Sequence, residues 1–129
     1  MKVIDGKNAV LGRLASYVAK DVLKGEEIVI LNCKEIIITG NKKNIETNFK
    51  AKRGRVGSGQ KGPKVSRLPH LIVKRTIRGM LPHRQSRGKE ALRRVKCYSG
   101  IPKEFKESKK ITSGKEKRGK IVTISEISK

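Results

Sequence analysis

The side chains best suited to chemistry in this sequence are the arginines and lysines between positions 74 and 94. The stretch contains eight of them: Lys74, Arg75, Arg78, Arg84, Arg87, Lys89, Arg93 and Arg94. An arginine presents its N–H groups in a planar fork that matches a phosphate, and a lysine is a compact positive charge. Such residues hold phosphate groups; alone they do not break bonds. The stretch therefore indicates a polyanionic partner.

Positive charge is concentrated in the middle of the chain. The 129 residues contain 33 lysines and arginines against 11 aspartates and glutamates, for a formal net charge of +22. Residues 1–46 have eight basic and six acidic side chains, whereas residues 47–89 have 13 basic side chains and no acidic one. A merely solvated surface usually mixes both signs. The acid-free run favours a surface that binds nucleic acid over an inert one.

The elements that must position these cations form one domain, because a chain of this length is too short for two ordinary ones. Residues 1–52 and 69–105 are expected to form an α/β core with basic helices. Residues 53–68 are rich in glycine and are predicted to be a basic loop, and residues 106–129 a basic tail.

Hydrophobic periodicity in the first third is typical of an α/β layered domain. The first two strands are expected to pair in parallel, because a crossover helix separates them. The predicted elements are strands Lys2–Asp5, Glu27–Cys33 and Ile36–Thr39, a helix Leu11–Lys24 ended by Gly25, and a helix capped by Asn41 that runs to Lys52 and buries Ile45 and Phe49.

Two further helices are predicted to carry the cations over an apolar underside. The first, His70–Leu81, points Val73, Ile77, Met80 and Leu81 inward and Lys74, Arg75 and Arg78 outward, and Pro82 ends it. The second begins with Ser86 as its cap, with Ala91, Leu92 and Val95 inward and Arg87, Arg93, Arg94 and Lys96 outside. The apolar run KIVTISEI at residues 120–127 predicts a last strand.

The glycines Gly57, Gly59 and Gly62 spell G-x-G-x-x-G, a dinucleotide-binding pattern. That pattern must open a helix and be followed about 20 residues later by an acidic residue. Here Pro63 interrupts it, and the next acidic residue is Glu90. A loop that lies along a phosphate backbone explains the segment better. This loop and the end of the helix before it add six cations to the predicted binding set: Lys52, Arg53, Arg55, Lys61, Lys64 and Arg67.

Other kinds of site find little support in the sequence. His70 and His83 form no metal-ligand spacing, and Cys33 and Cys97 form no CxxC pair, so we expect two reduced thiols and no metal or cofactor. No nucleophile lies beside a base, which argues against an enzyme with a small-molecule substrate. No apolar run approaches the roughly 18 residues of a membrane span. The sequence predicts a soluble, cytoplasmic protein.

The type of polyanion is narrowed by the aromatic residues. Only Tyr17, Phe49, Tyr98 and Phe105 are aromatic, too few for a platform on which bases of single strands stack. Structured RNA and duplex DNA remain, which leaves an architectural nucleic-acid-binding protein as an alternative to an RNA-specific one.

Three blocks of sequence resemble the universal large-subunit ribosomal protein thirteen family. They are NAVLGRLAS (8–16), ITGNK (38–42) and IRGMLPHRQSRGKEALRRVKCYSGIP (77–102), and the resemblance covers about residues 2–105. The form RGKEALRRVKCYSGIP and the lack of a long N-terminal extension are similar to the archaeal and eukaryotic branch.

The resemblance implies a non-enzymatic structural protein that binds large-subunit rRNA beside neighbouring ribosomal proteins. It also implies a three-layer α/β/α sandwich around a mostly parallel four-stranded sheet, with basic loop and helical extensions. On the third block, it makes Gly79, Met80, Leu81 and Pro82 a packed turn that aims the RNA-binding candidates. Those candidates are Arg78, Arg84, Arg87, Lys89, Arg93 and Arg94.

Overall fold

A computed structural model of the protein describes residues 1–55, 65–107, 111–112 and 119–128. Short 3-10 turns at Cys33–Glu35 and Lys103–Phe105 accompany the regular elements. The strands and helices are β1 (Lys2–Asp5), α1 (Leu11–Leu23), β2 (Ile28–Leu31), β3 (Ile37–Thr39), α2 (Lys42–Gly54), α3 (Pro69–Gly79), α4 (Ser86–Arg93), β4 (Val95–Cys97), β5 (Ile111–Thr112), β6 (Ile121–Thr123) and α5 (Ile124–Ile127).

The centre of the fold is a four-stranded parallel sheet with the order β4-β2-β1-β5. Val3 of β1 lies opposite Val29 of β2, which confirms the predicted parallel pairing across α1. On its other side β2 pairs with β4, placing Ile28 opposite Val95. The antiparallel pair β3–β6 forms a separate sheet, and a parallel bridge joins Ile37 of β3 to Val10, the residue before α1.

The two faces of the sheet are covered differently. Ile4, Ile28 and Ile30 share one apolar cluster with the buried sides of α1, α3 and α4. On the opposite face, Val3, Val29 and Leu31 are covered by Tyr98 and Phe105, whose ring centroids are 5.8 Å apart. The mixed α/β class and the mostly parallel sheet flanked by helices are thus confirmed. In the described segments, the layer that covers this opposite face of the sheet is formed by residues 98–105.

The helix α1 follows its predicted pattern closely. Leu14, Val18 and Val22 form a buried stripe, as the steps of four predict. The chain turns away at Gly25, whose φ of 99° lies in the left-handed region that glycine adopts at little cost. At α2, Asn41 accepts a hydrogen bond from the backbone N–H of Lys43 (3.1 Å), so the predicted cap is confirmed.

The prediction for the segment after Pro82 is partly wrong. Gln85, not Ser86, precedes the first helical residue, and α4 ends at Arg93. Val95 is fully buried as expected, but it begins strand β4 instead of extending the helix. A backbone hydrogen bond explains the difference. The N–H of Ile28 donates to the carbonyl of Arg94 (3.1 Å), so the chain joins the sheet at this point. Pairing with a buried strand outweighs local helical periodicity here.

The predicted inward position of Met80 is also wrong. The helix α3 ends at Gly79, and Met80 is 44% exposed, while Leu81 is buried as predicted. The preceding helix α2 extends through Arg53 and Gly54, two positions that were predicted to belong to the loop.

The last predicted strand is replaced by a strand and a helix. The partner strand β3 has only three residues, so its pairing with β6 stops at Thr123. Ile124 and Ile127, three positions apart, then turn into the core as the buried side of α5. A short strand that the sequence did not predict, β5, pairs with β1 at Ile4 and Asp5.

Gly88 offers a direct test of how the basic helices are held. A Cβ at this position would collide with the backbone carbonyl of Pro82 and lie 2.9 Å from the backbone nitrogen of His83. We expect Gly88→Ala to lower the free energy of unfolding by about 1–3 kcal/mol, because backbone cannot yield as a side chain can. Urea unfolding followed by circular dichroism measures this change.

The control is Gly12→Ala in α1, where an added Cβ meets no atom within 4 Å. That substitution is expected to leave stability unchanged or to raise it by up to about 1 kcal/mol. Equal effects of the two alanines would contradict the close packing of α4 against the turn.

Candidate nucleic-acid interface

The first group of predicted cations lies on one side of α3. Arg75 and Arg78 are exposed and Lys74 is half-buried. Ile72, Val73 and Ile77 form the opposite, buried side, and Leu14 and Val18 of α1 belong to the same apolar cluster. Because that side is fixed in the core, the three cations project from a rigid helix, as the sequence predicts.

The second group lies on α4 and the turn before it. Arg84, Arg87, Lys89 and Arg93 are exposed. The turn is closed by a hydrogen bond from the N–H of Gln85 to the carbonyl of Pro82 (2.9 Å), and the buried Leu81 anchors it. Arg87 donates from Nε to the side-chain oxygen of Gln85 (3.2 Å). These contacts, together with the close approach at Gly88, position α4 after α3.

Arg94 differs from the rest of the predicted set. It is half-buried, and its Nη1 donates to the carbonyl of Val22 at 2.9 Å. This carbonyl is in the last turn of α1, where a cation also interacts favourably with the helix dipole. At least one guanidinium nitrogen of Arg94 therefore stabilises the fold, a role that the sequence pattern did not reveal.

The third group surrounds the end of α2. Arg53 donates from Nε to the carbonyl of Val65 (3.1 Å), which joins the end of α2 to the chain that leads into α3. Lys52, Arg55 and Arg67 are exposed. Lys61 and Lys64, with the glycines of the G-x-G-x-x-G pattern, lie outside the described residues.

Two depressions show which cations the fold brings together. A groove of about 480 Å³ between α2 and α3 has both Lys52 and Arg75 in its lining. A smaller depression of about 250 Å³ is lined by Arg53 and Arg67 together with Lys50. Lys50 was not in the predicted set. Its position in the acid-free run 47–89 is the sequence signal that could have identified it.

Ion pairs in the described part of the chain are formed by Lys2 and Lys42, although Glu46 and Glu126 also line the smaller depression. Lys2 of β1 contacts Asp21 at 3.1 Å and Glu26 at 2.8 Å, and Lys42 contacts Glu126 at 3.9 Å. The hydrogen bond from Lys2 lowers the pKa of the Asp21 carboxyl below its usual value. In the described segments, these ion pairs include none of the predicted binding cations of α3 and α4.

The residues capable of other chemistry have structural contacts. His70 Nδ1 lies 3.2 Å from the hydroxyl oxygen of Ser99, and His83 Nδ1 lies 3.4 Å from the carbonyl of Leu81. No cluster of three histidine, cysteine or acidic residues that could hold a metal occurs in the described part of the chain. None of the helices described there is long and apolar enough to cross a bilayer.

Folding also brings together the two cysteines, which are far apart in sequence. Cys33 follows β2, Cys97 ends β4, and both are free thiols. The backbone N–H of Cys33 donates to the carbonyl of Tyr98 (3.0 Å), the residue after Cys97. A hydrogen bond with Cys97 and burial both raise the pKa of the Cys33 thiol.

The parallel sheet and the exposed cations of α3 and α4, which form no ion pair in the described part of the chain, define a basic α/β protein. Comparison with known proteins identifies the group: the ribosomal protein L13 family matches residues 1–104. This chain belongs to the ribosomal protein L13 family, which confirms the resemblance found in its three sequence blocks.

Three relatives are each named large ribosomal subunit protein uL13. The protein of Methanocaldococcus jannaschii is 48% identical over 132 residues, covering 100% of this chain and 96% of the relative. That of Archaeoglobus fulgidus is 43% identical over 133 residues (98% and 85%). That of Thermoplasma acidophilum is 42% identical over 132 residues (100% and 96%). Membership in a family of ribosomal proteins also confirms the expectation of a non-enzymatic protein.

The environment of Cys33 predicts low reactivity. A raised pKa keeps the group as a thiol, and the thiolate is the form that reacts with alkylating agents. We expect iodoacetamide at pH 8 to alkylate Cys33 at a rate about tenfold or more lower in the folded protein than in urea. Mass spectrometry of timed samples gives both rates.

A Cys33→Ser variant identifies the signal that belongs to Cys97. Equal rates of Cys33 alkylation with and without urea would contradict the buried, hydrogen-bonded thiol.

Proposed function

We propose that this protein is a structural constituent of the large ribosomal subunit in the cytoplasm, where it binds folded large-subunit rRNA through its lysines and arginines. The observation that carries the proposal is the set of exposed cations on α3, α4 and the turn between them, all but Arg93 within a run of residues 47–89 that has no acidic side chain. Its neighbours there are rRNA and other large-subunit proteins, and it needs no cofactor or small-molecule substrate.

Binding by such a surface depends on phosphate charge. Each lysine or arginine that meets a phosphate releases condensed counterions, which favours binding and makes it weaker at high salt. Arg78, Arg84 and Arg87 add planar forks that can contact two phosphate oxygens at once. Because the undersides of the helices are buried, the backbone that carries these side chains is already ordered, and little of its conformational entropy is lost on binding.

Selectivity for folded RNA follows from the spacing of the cations more than from reading of bases. Tyr98 and Phe105 pack over the second face of the sheet, and the ring of Tyr17 lies 5.7 Å from the ammonium of Lys2. The rings of Tyr98 and Phe105 therefore pack within the protein itself, whereas Tyr17 is 47% exposed. Fixed cations on two helices and a turn match phosphates at set separations, as a folded RNA presents them.

Charge reversal tests the interface. We expect the triple variant Arg78→Glu, Arg84→Glu and Arg87→Glu to weaken binding to a large-subunit rRNA transcript by several kcal/mol, at about 1.5–3 kcal/mol for each contact. The slope of log affinity against log salt is expected to decrease in magnitude by about three. Filter binding across a salt series measures both quantities.

The matched control reverses three exposed lysines outside the predicted set, Lys7, Lys34 and Lys103, and so changes the net charge equally. Its affinity is expected to fall much less than that of the arginine variant. An equal loss in the two variants would place the interface elsewhere or make the attraction nonspecific.

Sedimentation tests the assignment to the ribosome. We expect the tagged protein to migrate with large subunits in a sucrose gradient, to stay with them at high salt, and to leave them after ribonuclease digestion. Migration with DNA regardless of ribonuclease would favour the alternative, an architectural nucleic-acid-binding protein outside the ribosome.

A further inference from the structure

The groove between α2 and α3 is not explained by phosphate binding, because its floor is apolar. It has a volume of about 480 Å³ and is lined by side chains from several separate elements of the fold. The apolar side chains that line it are Leu11, Ile38, Ile45, Phe49, Val65, Ile72 and Ile127.

The helix α2 is incompletely covered by the described chain. None of its residues is fully buried, and Ile45 and Phe49, its two large apolar side chains, are only half-buried. In contrast, α1 is the same length and buries six residues. An amphipathic helix stabilised by packing normally covers its apolar side, so the groove beside α2 has the character of an unfilled contact.

The rim of the groove is polar and cationic. Lys52 of α2 and Arg75 of α3 line it together with Asn48 and Thr76. No acidic residue lines this groove within the described part of the chain, although Glu46 and Glu126 line the adjoining depression. The complementary ligand thus combines large apolar groups with carboxylates.

The aliphatic floor distinguishes a polypeptide from RNA. Unstacked bases are usually held against aromatic rings or arginine planes, and Phe49 supplies the one ring in this lining. Leucine, isoleucine and phenylalanine side chains in a helix-lined groove are instead a common mode of peptide recognition. The sequence that follows α2 in the chain, VGSGQKGPK (56–64), contains a single large apolar residue, Val56, and its composition therefore does not match an apolar lining of this size.

We propose that the α2–α3 groove binds a segment of a neighbouring large-subunit protein in which one or two large apolar side chains are flanked by aspartate or glutamate. The apolar side chains occupy the floor, and the carboxylates contact Lys52 and Arg75. This inference rests on the proposed ribosomal function, since it takes the partner from the same subunit.

Site-specific photo-crosslinking in purified large subunits tests the proposal. p-Benzoylphenylalanine replaces Asn48, which lines the groove, or Thr47, which is exposed on the far side of the same helix. After irradiation, mass spectrometry identifies the linked peptide. We expect position 48, but not position 47, to link to another large-subunit protein, at a segment with an apolar residue next to aspartate or glutamate.

Other products overturn the proposal. Linkage of position 48 to rRNA would make the groove part of the RNA interface, and linkage within the chain would make it an internal contact. The absence of any protein linkage, or the same linkage from both positions, would show that the groove is not a specific docking site.

A binding measurement with the full chain provides the second test. The linked peptide is synthesised with a fluorescent label and titrated with the Asn48→Glu variant, which puts a negative charge at the rim, and with Thr47→Glu as control. We expect about a tenfold weaker affinity for the first variant and no change for the second. Equal affinities would contradict charge complementarity at the groove.

Neither position 48 nor position 47 belongs to the predicted RNA-binding set. Both variants are therefore expected to retain affinity for the rRNA transcript. Failure of the groove proposal with intact rRNA binding leaves the proposed function standing, whereas loss of co-sedimentation with large subunits removes both.

Discussion

The pairing of β4 with β2 is the contact on which the arrangement of the basic half depends. The strand β2 is buried along its whole length, with β1 on one side and β4 on the other. All of α2, α3 and α4 lies between β3 and β4 in the sequence. When Val95 pairs opposite Ile28, the chain that carries the cations is closed onto the near-neutral first third. The hydrogen bond from Arg94 to the carbonyl of Val22 strengthens the same closure.

A protein with a net charge of +22 must offset the repulsion among its own cations. In this fold the cations are placed outside on α3 and α4, and Ile72, Val73, Ile77 and Ala91 are buried beneath them. The acidic residues Asp21 and Glu26 pair with Lys2, at the edge of the chain's near-neutral third. The rRNA binding proposed above would offset the remaining repulsion and so couple the stability of the protein to its place in the subunit.

The proposed phosphate-binding surface and the α2–α3 groove share two residues. Lys52 and Arg75 belong to the predicted RNA-binding set, and both line the groove. If both proposals hold, the protein partner and the rRNA backbone compete for these two cations or share them. Arg84 and Arg93, on the turn and α4, are not part of the groove lining, so the two interactions can be separated by mutation.

The sequence by itself determined the α/β class, the positions of α1, α2 and α3, and the outward cations of the basic helices. These features follow from periodicity, glycine and asparagine at helix ends, and an acid-free run, all of which are local. Only the tertiary structure decided that Val95 forms a strand, that residues 120–127 divide into β6 and α5, that Cys33 and Cys97 meet, and that Arg94 caps α1. Each of these depends on a partner distant in the chain. The local sequence around Arg94 does not show that the carbonyl of Val22 will accept its hydrogen bond. The sequence of residues 120–127 likewise does not show that its partner strand β3 has only three residues.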